Sequence, residues 1–339
     1  MIIDIISGAR PNFVKIACLI KELKNNKFFN KFKIRVIHTG QHYNNNMSNI
    51  FFKELKIPRP DYNLNVGSGT YAFQIGSIMQ KYEKIINKKI VLCIVVGDVN
   101  STLACALIAK QNNIPVAHIE AGIRSNDLTM PEEINRILTD SISNYFFTTS
   151  VTANKNLIQL GISKKNIYFV GNTMIDTLKE NLNSLKKPSF FNKFLLKEYN
   201  YILLTIHRPS NTKNLNSLRL LLENIVKFSK LNKIIFPCHP RLKKNMNVIK
   251  NISNNIIITN PLSYLEFNFL LLKCKVIITD SGGITEEATF LHKPCITLRE
   301  NTERPETIEI GTNVLVGNSK NKLKKAFDEL DSGLWKRGK

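Results

Sequence analysis

The stretch Lys275-Val276-Ile277-Ile278-Thr279-Asp280-Ser281-Gly282-Gly283-Ile284-Thr285-Glu286-Glu287 joins an apolar run to a helix-like segment through two consecutive glycines. The run reads as a buried strand and residues 280–283 as a strand-to-helix turn. Without side chains at the turn, backbone N–H groups approach an anion closely, and the new helix adds unpaired N–H groups and the positive end of its dipole. Such a turn holds a phosphate, and Glu287, one turn into the helix, reaches toward a ribose hydroxyl pair. The competing reading is an ordinary loop with Ser281 as the helix cap.

Outward from this stretch, apolar runs bounded by Gly, Pro or Asn alternate with longer amphipathic stretches along the whole chain. Strands are expected at residues 2–7, 33–38, 90–96, 115–119, 145–148 and 167–170. A second series covers 201–206, 233–237, 256–259, 276–279, 294–298 and 313–316. Strands alternating with helices build right-handed βαβ units and parallel sheets. The expected fold is α/β, with two Rossmann-like, doubly wound domains facing across a cleft. The boundary falls near residues 186–200, giving an N-terminal domain of 1–186 that carries the catalytic carboxylates and a C-terminal domain of 187–339. The length of 339 residues agrees, because one core rarely serves so long a chain.

Composition excludes several classes. No apolar run reaches the ~18–20 residues that a membrane helix needs. The start, Met1-Ile2-Ile3-Asp4-Ile5-Ile6-Ser7-Gly8, lacks a basic segment and a small-residue cleavage site and reads as a first strand, so no membrane association and a cytoplasmic location are expected. The formal charge of +22 invites nucleic acid as a partner. The lysines are nevertheless dispersed among asparagines, as in Lys24-Asn25-Asn26-Lys27 and Lys243-Lys244-Asn245, with no interleaved aromatics, and an anionic small molecule is the expected partner instead. The six cysteines sit singly, without the close pairs of zinc sites, and read as reduced core thiols.

Ligands of open α/β sheets bind beyond the carboxyl ends of the strands, so the polar residues there are the candidates. The first strand runs into Gly8-Ala9-Arg10-Pro11 with Lys15, two cations at a helix start that suit a bound anion. Asp98 follows Gly97 after the third expected strand, either as a helix cap or as a carboxylate aimed into the cleft. Glu120 ends the next strand, and Glu132 and Glu133 follow Met130-Pro131. Paired carboxylates suit acid/base work. Structural alternatives are a capping box at Thr129-x-x-Glu132 and a buried ion pair of Glu120 with Arg124 or Arg136. His118 reads as a core or supporting residue. In the second series His207-Arg208 and His239-Pro240-Arg241 end equivalent strands, and Arg304 follows another within a dense run of charge.

Together these segments resemble the non-hydrolysing UDP-N-acetylglucosamine 2-epimerases over nearly the whole chain. The matching motifs are Gly8-Ala9-Arg10-Pro11 with Lys15, Thr39-Gly40-Gln41-His42, Gly97-Asp98, His118-Ile119-Glu120-Ala121-Gly122, Pro131-Glu132-Glu133-Ile134-Asn135-Arg136, Gly171-Asn172-Thr173, His207-Arg208, Asp280-Ser281-Gly282-Gly283 and Thr302-Glu303-Arg304-Pro305-Glu306. The resemblance implies a glycosyltransferase-B-type fold. It also implies interconversion of UDP-GlcNAc and UDP-ManNAc, in which UDP is eliminated with loss of the C2 proton and re-added after inversion, with no nicotinamide, other cofactor or metal. By motif position it assigns Asp98, Glu120 and Glu132 to proton transfer and His207 to the diphosphate and sugar. It puts Arg10, Lys15, Ser281, Gly282, Gly283 and Arg304 around UDP, Glu287 on the ribose, Phe267 near the uracil, and Gln41, His42 and His239 at an activator site. A homodimer is implied as well.

The chain departs from that pattern in several places. Pro209 follows His207-Arg208 where a second arginine is common, and Met130 stands where a tryptophan often precedes Pro-Glu-Glu. Asn100-Ser101-Thr102 and Ser125-Asn126-Asp127 look closer to branches acting on modified sugars such as UDP-2,3-diacetamido-uronic acids. The chain stops at Trp335-Lys336-Arg337-Gly338-Lys339, before the final helix of relatives, from which reduced stability or activity is expected. Rival expectations are an epimerase of a modified UDP-sugar, a hydrolysing 2-epimerase, and a catalytically impaired UDP-sugar-binding protein.

Overall fold

The computed structural model describes residues 1–40, 45–230, 232–238, 242 and 246–338, without the side chains of Arg10, residues 45–49, Pro209 and Asn247. Gln41, His42 and His239 lie outside the described residues. The chain divides into two compact units, Met1–Glu180 and Asn181–Lys339. Residues 181–186, assigned by sequence to the first domain, go with the second unit, where the Lys186 N–H donates to the Leu265 carbonyl at 3.3 Å.

In the first unit the described residues form seven strands: β1 (Ile2–Ser7), β2 (Lys33–His38), β3 (Tyr62–Asn63), β4 (Ile90–Val96), β5 (Val116–Ile119), β6 (Tyr145–Thr148) and β7 (Ile167–Phe169). They lie in the order β3-β2-β1-β4-β5-β6-β7, all parallel. Only β3 has no counterpart among the expected strands. Two exposed residues pairing at an edge leave no hydrophobic period to read. The β-branched runs of β1 and β4 are buried because helices cover both faces of a parallel sheet. Ile6, Ile37, Val95 and Val116 pack with Ile78, Ala104 and Ile108 in one cluster. Each large aliphatic side chain buried there contributes roughly 1.5–3 kcal/mol.

The second unit repeats the scheme with β8 (Tyr201–Thr205), β9 (Lys233–Pro237), β10 (Ile256–Thr259), β11 (Val276–Thr279), β12 (Cys295–Thr297) and β13 (Asn313–Leu315), in the order β10-β9-β8-β11-β12-β13 and again parallel. Strands β5, β7, β8, β12 and β13 are shorter than the expected runs by one or two residues. The two faces of this sheet feed separate clusters. Ile202, Leu204 and Ile278 pack on one side and Tyr201, Leu203 and Ile277 on the other, as side chains alternating along a strand require.

In each sheet the strand order reverses at one seam, β1/β4 in the first unit and β8/β11 in the second. Loops leaving adjacent strands there diverge to opposite faces and open a crevice at the carboxyl ends. Among the described residues no helix is long and apolar enough to cross a membrane. None of the six cysteines forms a disulfide; five are buried and Cys18 is half-buried, so the expectation of core thiols is corrected at Cys18.

Candidate active site

At the β1/β4 seam the helix Arg10–Asn25 opens with Pro11 in its first turn, where a missing N–H costs nothing. The Asn12 side chain accepts from the Ala9 N–H at 2.9 Å and donates to the Val96 carbonyl at 2.9 Å, which ties this helix start to the end of β4. Arg10 begins the helix, but its side chain lies outside the described residues. Lys15, one turn later, is buried, and its Nζ stands 2.5 Å from Oε2 of Glu120. The partner expected for Glu120 was Arg124 or Arg136. The structure pairs it with Lys15, because β4 lies between β1 and β5 and the end of β5 comes near the helix that leaves β1.

Glu120 has φ 72°, a left-handed backbone that few residues other than glycine adopt. Its N–H and that of Ala121 both donate to the Phe147 carbonyl on β6, which holds the turn in that shape. Strain of this kind persists where the surroundings over-determine it and clusters at functional sites. Gly97, with φ 69°, makes the matching turn after β4. A Cβ there would lie 3.2 Å from Lys15 Nζ, so the glycine also lets the lysine approach.

Asp98 does not cap a helix. The cap position falls on Val99, and Asp98 Oδ2 instead lies 2.5 Å from Nη2 of Arg136. The Arg136 Nη1 reaches Glu133 at 2.8 Å. Burial would raise the Glu133 pKa, but the N–H groups of Ser125 and Asn126 and the Arg136 guanidinium outweigh it and hold the carboxyl below its ordinary range. Asn135 donates to the Asp98 carbonyl at 2.8 Å and accepts from the Tyr71 hydroxyl at 2.7 Å, which fixes the loop that carries Asp98.

Glu132 lies exposed in the first turn of the helix Pro131–Ile142, whereas Glu133 is buried. The capping box expected at Thr129 is absent: Met130 occupies the cap, and the Thr129 hydroxyl donates to Asp127 at 2.6 Å. His118 is buried as expected. Its Nε2 donates to the Gly97 carbonyl at 2.9 Å and its Nδ1 lies 2.7 Å from Asp140. Burial opposes ionisation of Asp140, yet His118 and Arg124 outweigh it and keep its pKa low.

At the β8/β11 seam of the second unit, His207 and Arg208 follow β8 while Asp280 and Ser281 follow β11. Asp280 is buried and accepts from the backbone N–H groups of His207 and Arg208 and from the Asn211 amide. Ser281 stands at the cap of the helix Gly282–Phe290 without a side-chain cap bond, so the first-turn N–H groups receive nothing from it. A Cβ on Gly282 would meet Nη1 of Arg299 at 3.6 Å, which puts a guanidinium against that helix start. Arg299 pairs with Glu303 at 2.5 Å, and Arg304 is buried with its Nε 2.8 Å from Glu286.

Glu287 is buried and accepts from the Tyr264 hydroxyl at 3.2 Å. Burial lifts its pKa to about 7, against the hydrogen bond from Tyr264. Phe267 packs half-buried against the core cluster that contains Ile277 and Ala288. Among the described residues no group of three or more His, Cys, Asp or Glu side chains is arranged to hold a metal ion.

The structure therefore brings Lys15, Glu120, Gly97 and Asp98 together at one seam, and His207, Ser281 and Gly282 at the other. It adds Glu133, Asp140, Asn12, Asn211 and Asp280, to which the sequence assigned no role, and it pairs Arg136, expected only as a partner of Glu120, with Asp98 and Glu133. For Arg136 a signal existed in its i,i+3 spacing from Glu133. For Asp140 and Asn211 there was none, since their partners lie on other elements.

A sequence model of the family described as UDP-N-acetylglucosamine 2-epimerase matches residues 21–337. The UDP-N-acetylglucosamine 2-epimerase of Methanococcus maripaludis is 46% identical over 326 residues, covering 93% of this chain and 87% of that protein. The UDP-2,3-diacetamido-2,3-dideoxy-D-glucuronate 2-epimerase of Pseudomonas aeruginosa is 38% identical over 92% of this chain and 87% of its own length. Among solved structures, the Methanocaldococcus jannaschii UDP-GlcNAc 2-epimerase in complex with UDP-GlcNAc and UDP superposes with a TM-score of 0.89 at 42% identity, over 100% of this chain and 95% of that one. The two parallel-sheet α/β units have the glycosyltransferase-B-type fold of these neighbours. The chain belongs to the UDP-N-acetylglucosamine 2-epimerase family, whose members are isomerases.

Proposed function

We propose that the protein is a non-hydrolysing epimerase that interconverts UDP-GlcNAc and UDP-ManNAc. The observation that carries the reading is the strained Glu120 turn, which holds a carboxylate against buried Lys15 beside the loop of Asp98. The donors and acceptors present support the chemistry. A carboxylate takes the C2 proton, the C2–H electron pair forms a C1=C2 bond, and the C1–O bond breaks with its electrons leaving on UDP. Re-addition of UDP to C1 with protonation of C2 from the opposite side gives the epimer. Asp98, Glu120 and Glu132 serve as the proton-transfer groups, and positioned carboxylates in such roles contribute typically ~10²–10⁴-fold. His207, Arg10, Lys15, Ser281, Gly282, Gly283 and Arg304 bind the diphosphate, where cations and helix N–H groups stabilise developing charge. Glu287 takes the ribose and Phe267 the uracil.

Gln41, His42 and His239 form an activator site for a second UDP-GlcNAc in this reading, and the chain works as a cytoplasmic homodimer. Sedimentation at working concentration checks the dimer. Stimulation of the UDP-ManNAc reaction by added UDP-GlcNAc checks the activator.

Incubation with UDP-GlcNAc in D₂O, followed by NMR, tests the central claim. Deuterium at C2 together with appearance of UDP-ManNAc is expected. Free sugar and UDP accumulating instead would identify a hydrolysing enzyme, and tight UDP binding without exchange would identify an impaired binding protein. A second reading, epimerisation of a UDP-2,3-diacetamido-uronate, draws on the 38% identity to the Pseudomonas aeruginosa relative and on Met130 and Pro209. Exchange in that substrate and none in UDP-GlcNAc would select it.

A further inference from the structure

Asp280 is a carboxylate to which the proposed chemistry gives no task. It is fully buried after β11, and its oxygens gather donors from the segment that leaves β8 across the seam. Oδ1 accepts from the His207 N–H at 3.1 Å and lies 2.9 Å from His207 Nδ1. Oδ2 accepts from the N–H groups of His207 at 3.0 Å and Arg208 at 2.8 Å and from the Asn211 amide at 3.1 Å. Burial would raise the Asp280 pKa, but the His207 ring and the two backbone N–H groups outweigh it and keep the carboxyl below its ordinary range.

An ionised carboxylate only accepts hydrogen bonds, so the ring nitrogen that faces it carries a hydrogen. From this geometry we propose that Asp280 is the positioning residue of His207, fixing the ring as an Nδ1–H donor and leaving Nε2 as the nitrogen whose proton can change. The His207 side chain is 40% exposed while that of Asp280 is 0% exposed, so the ring is anchored from the interior and presented at the surface of the crevice. Which nitrogen works is thereby decided by a buried group, as when a carboxylate sets the tautomer of a catalytic histidine.

The assignment rests on the reading that His207 serves the departing diphosphate. As the C1–O bond breaks, its electron pair goes to the diphosphate oxygen, and the ring in its protonated form, with Nδ1–H held by Asp280, donates Nε2–H to that oxygen. Among the described residues, charged groups near the pair include Arg208, whose Nε donates to the Asp280 carbonyl at 3.1 Å, Glu303, which accepts from Arg208, and Arg299, which pairs with Glu303. Asn in place of Asp280 keeps these contacts, but its amide oxygen must take the Oδ2 place, where the N–H groups of His207 and Arg208 and the Asn211 amide all donate, so its NH2 faces Nδ1 and the acceptor that selects Nδ1–H is gone.

The test is ¹⁵N NMR of the histidine rings in the full-length protein, with His207 assigned by His207→Gln. The neutral ring is expected as the Nδ1–H tautomer in wild type and shifted toward Nε2–H in Asp280→Asn. Turnover of Asp280→Asn should fall by about 10- to 100-fold while the Kd for UDP stays within about threefold. In the His207→Gln background the same substitution should add less than about a twofold loss, because the two residues act as one unit. An Nε2–H tautomer in wild type, or an equal loss from Asp280→Asn with and without His207, would overturn the assignment. If Asp280→Asn does not fold, the wild-type tautomer decides alone. The Nδ1–H tautomer in a protein that exchanges no C2 hydrogen would support the positioning role and overturn the epimerase reading.

Discussion

Oε2 of Glu120 lies 2.5 Å from Nζ of Lys15, and both side chains are buried beneath the turns that leave β1, β4 and β5. Glu120→Gln keeps the volume but cannot take a proton. Turnover should fall by at least ~10²-fold while UDP affinity is retained. Steady-state kinetics with a parallel titration of UDP checks this, and wild-type turnover would remove Glu120 from the mechanism. Asp98→Asn should behave alike.

Arg136 joins Asp98 to Glu133, so Arg136→Met leaves Glu133 buried without its cation. Breaking a buried pair by removing one partner costs about 3–5 kcal/mol. Urea unfolding of Arg136→Met against wild type measures it. A loss under about 1 kcal/mol would mean that the Ser125 and Asn126 donors satisfy Glu133 by themselves.

Gly122 sits at φ 78°, where a Cβ would fall 2.4 Å from the Ala153 carbonyl oxygen. Gly122→Ala therefore combines a left-handed backbone penalty of roughly 1–2 kcal/mol with a clash against main chain. We expect a clear drop in Tm by circular dichroism. An unchanged Tm would show that the helix beginning at Val151 can move away.

Glu287 gives a pH dependence of definite sign. Burial raises its pKa from 4.5 in the ordinary state to about 7 in the fold, so the folded chain keeps a proton that the unfolded chain has lost. Its contribution is full below pH 4.5 and disappears as pH rises through about 7, amounting to a few kcal/mol. Urea unfolding across that window should show wild type losing stability relative to Glu287→Gln. Parallel slopes for the two proteins would contradict the burial. Glu287→Ala should separately weaken UDP binding, and unchanged affinity would contradict the ribose role.

Much of this architecture is written locally. Runs such as Val91-Leu92-Cys93-Ile94-Val95-Val96 and Tyr201-Ile202-Leu203-Leu204-Thr205 are apolar on both sides and end in Gly97 or His207, so strand and exit loop can be read together. Glu120, Asp98 and His207 were visible for the same reason: a polar residue directly after a buried strand has few places to be except the crevice. Glu132 and Glu133 were not separable, because adjacent helical positions differ only in which side faces inward, and packing decides that Glu133 is the buried one.

The sequence by itself determined two series of parallel strands, the glycine turns and the residue types at each strand end, since these depend on neighbours within a few positions. Only the tertiary structure decided that Lys15 meets Glu120, that Arg136 meets Asp98, and that Asp280 holds His207. Those partners are far apart in the chain, and the order of strands in each sheet is what makes them adjacent. Charge pairing is cheap to satisfy in many ways on paper, but a buried carboxylate accepts only the donor that the fold delivers within about 3 Å.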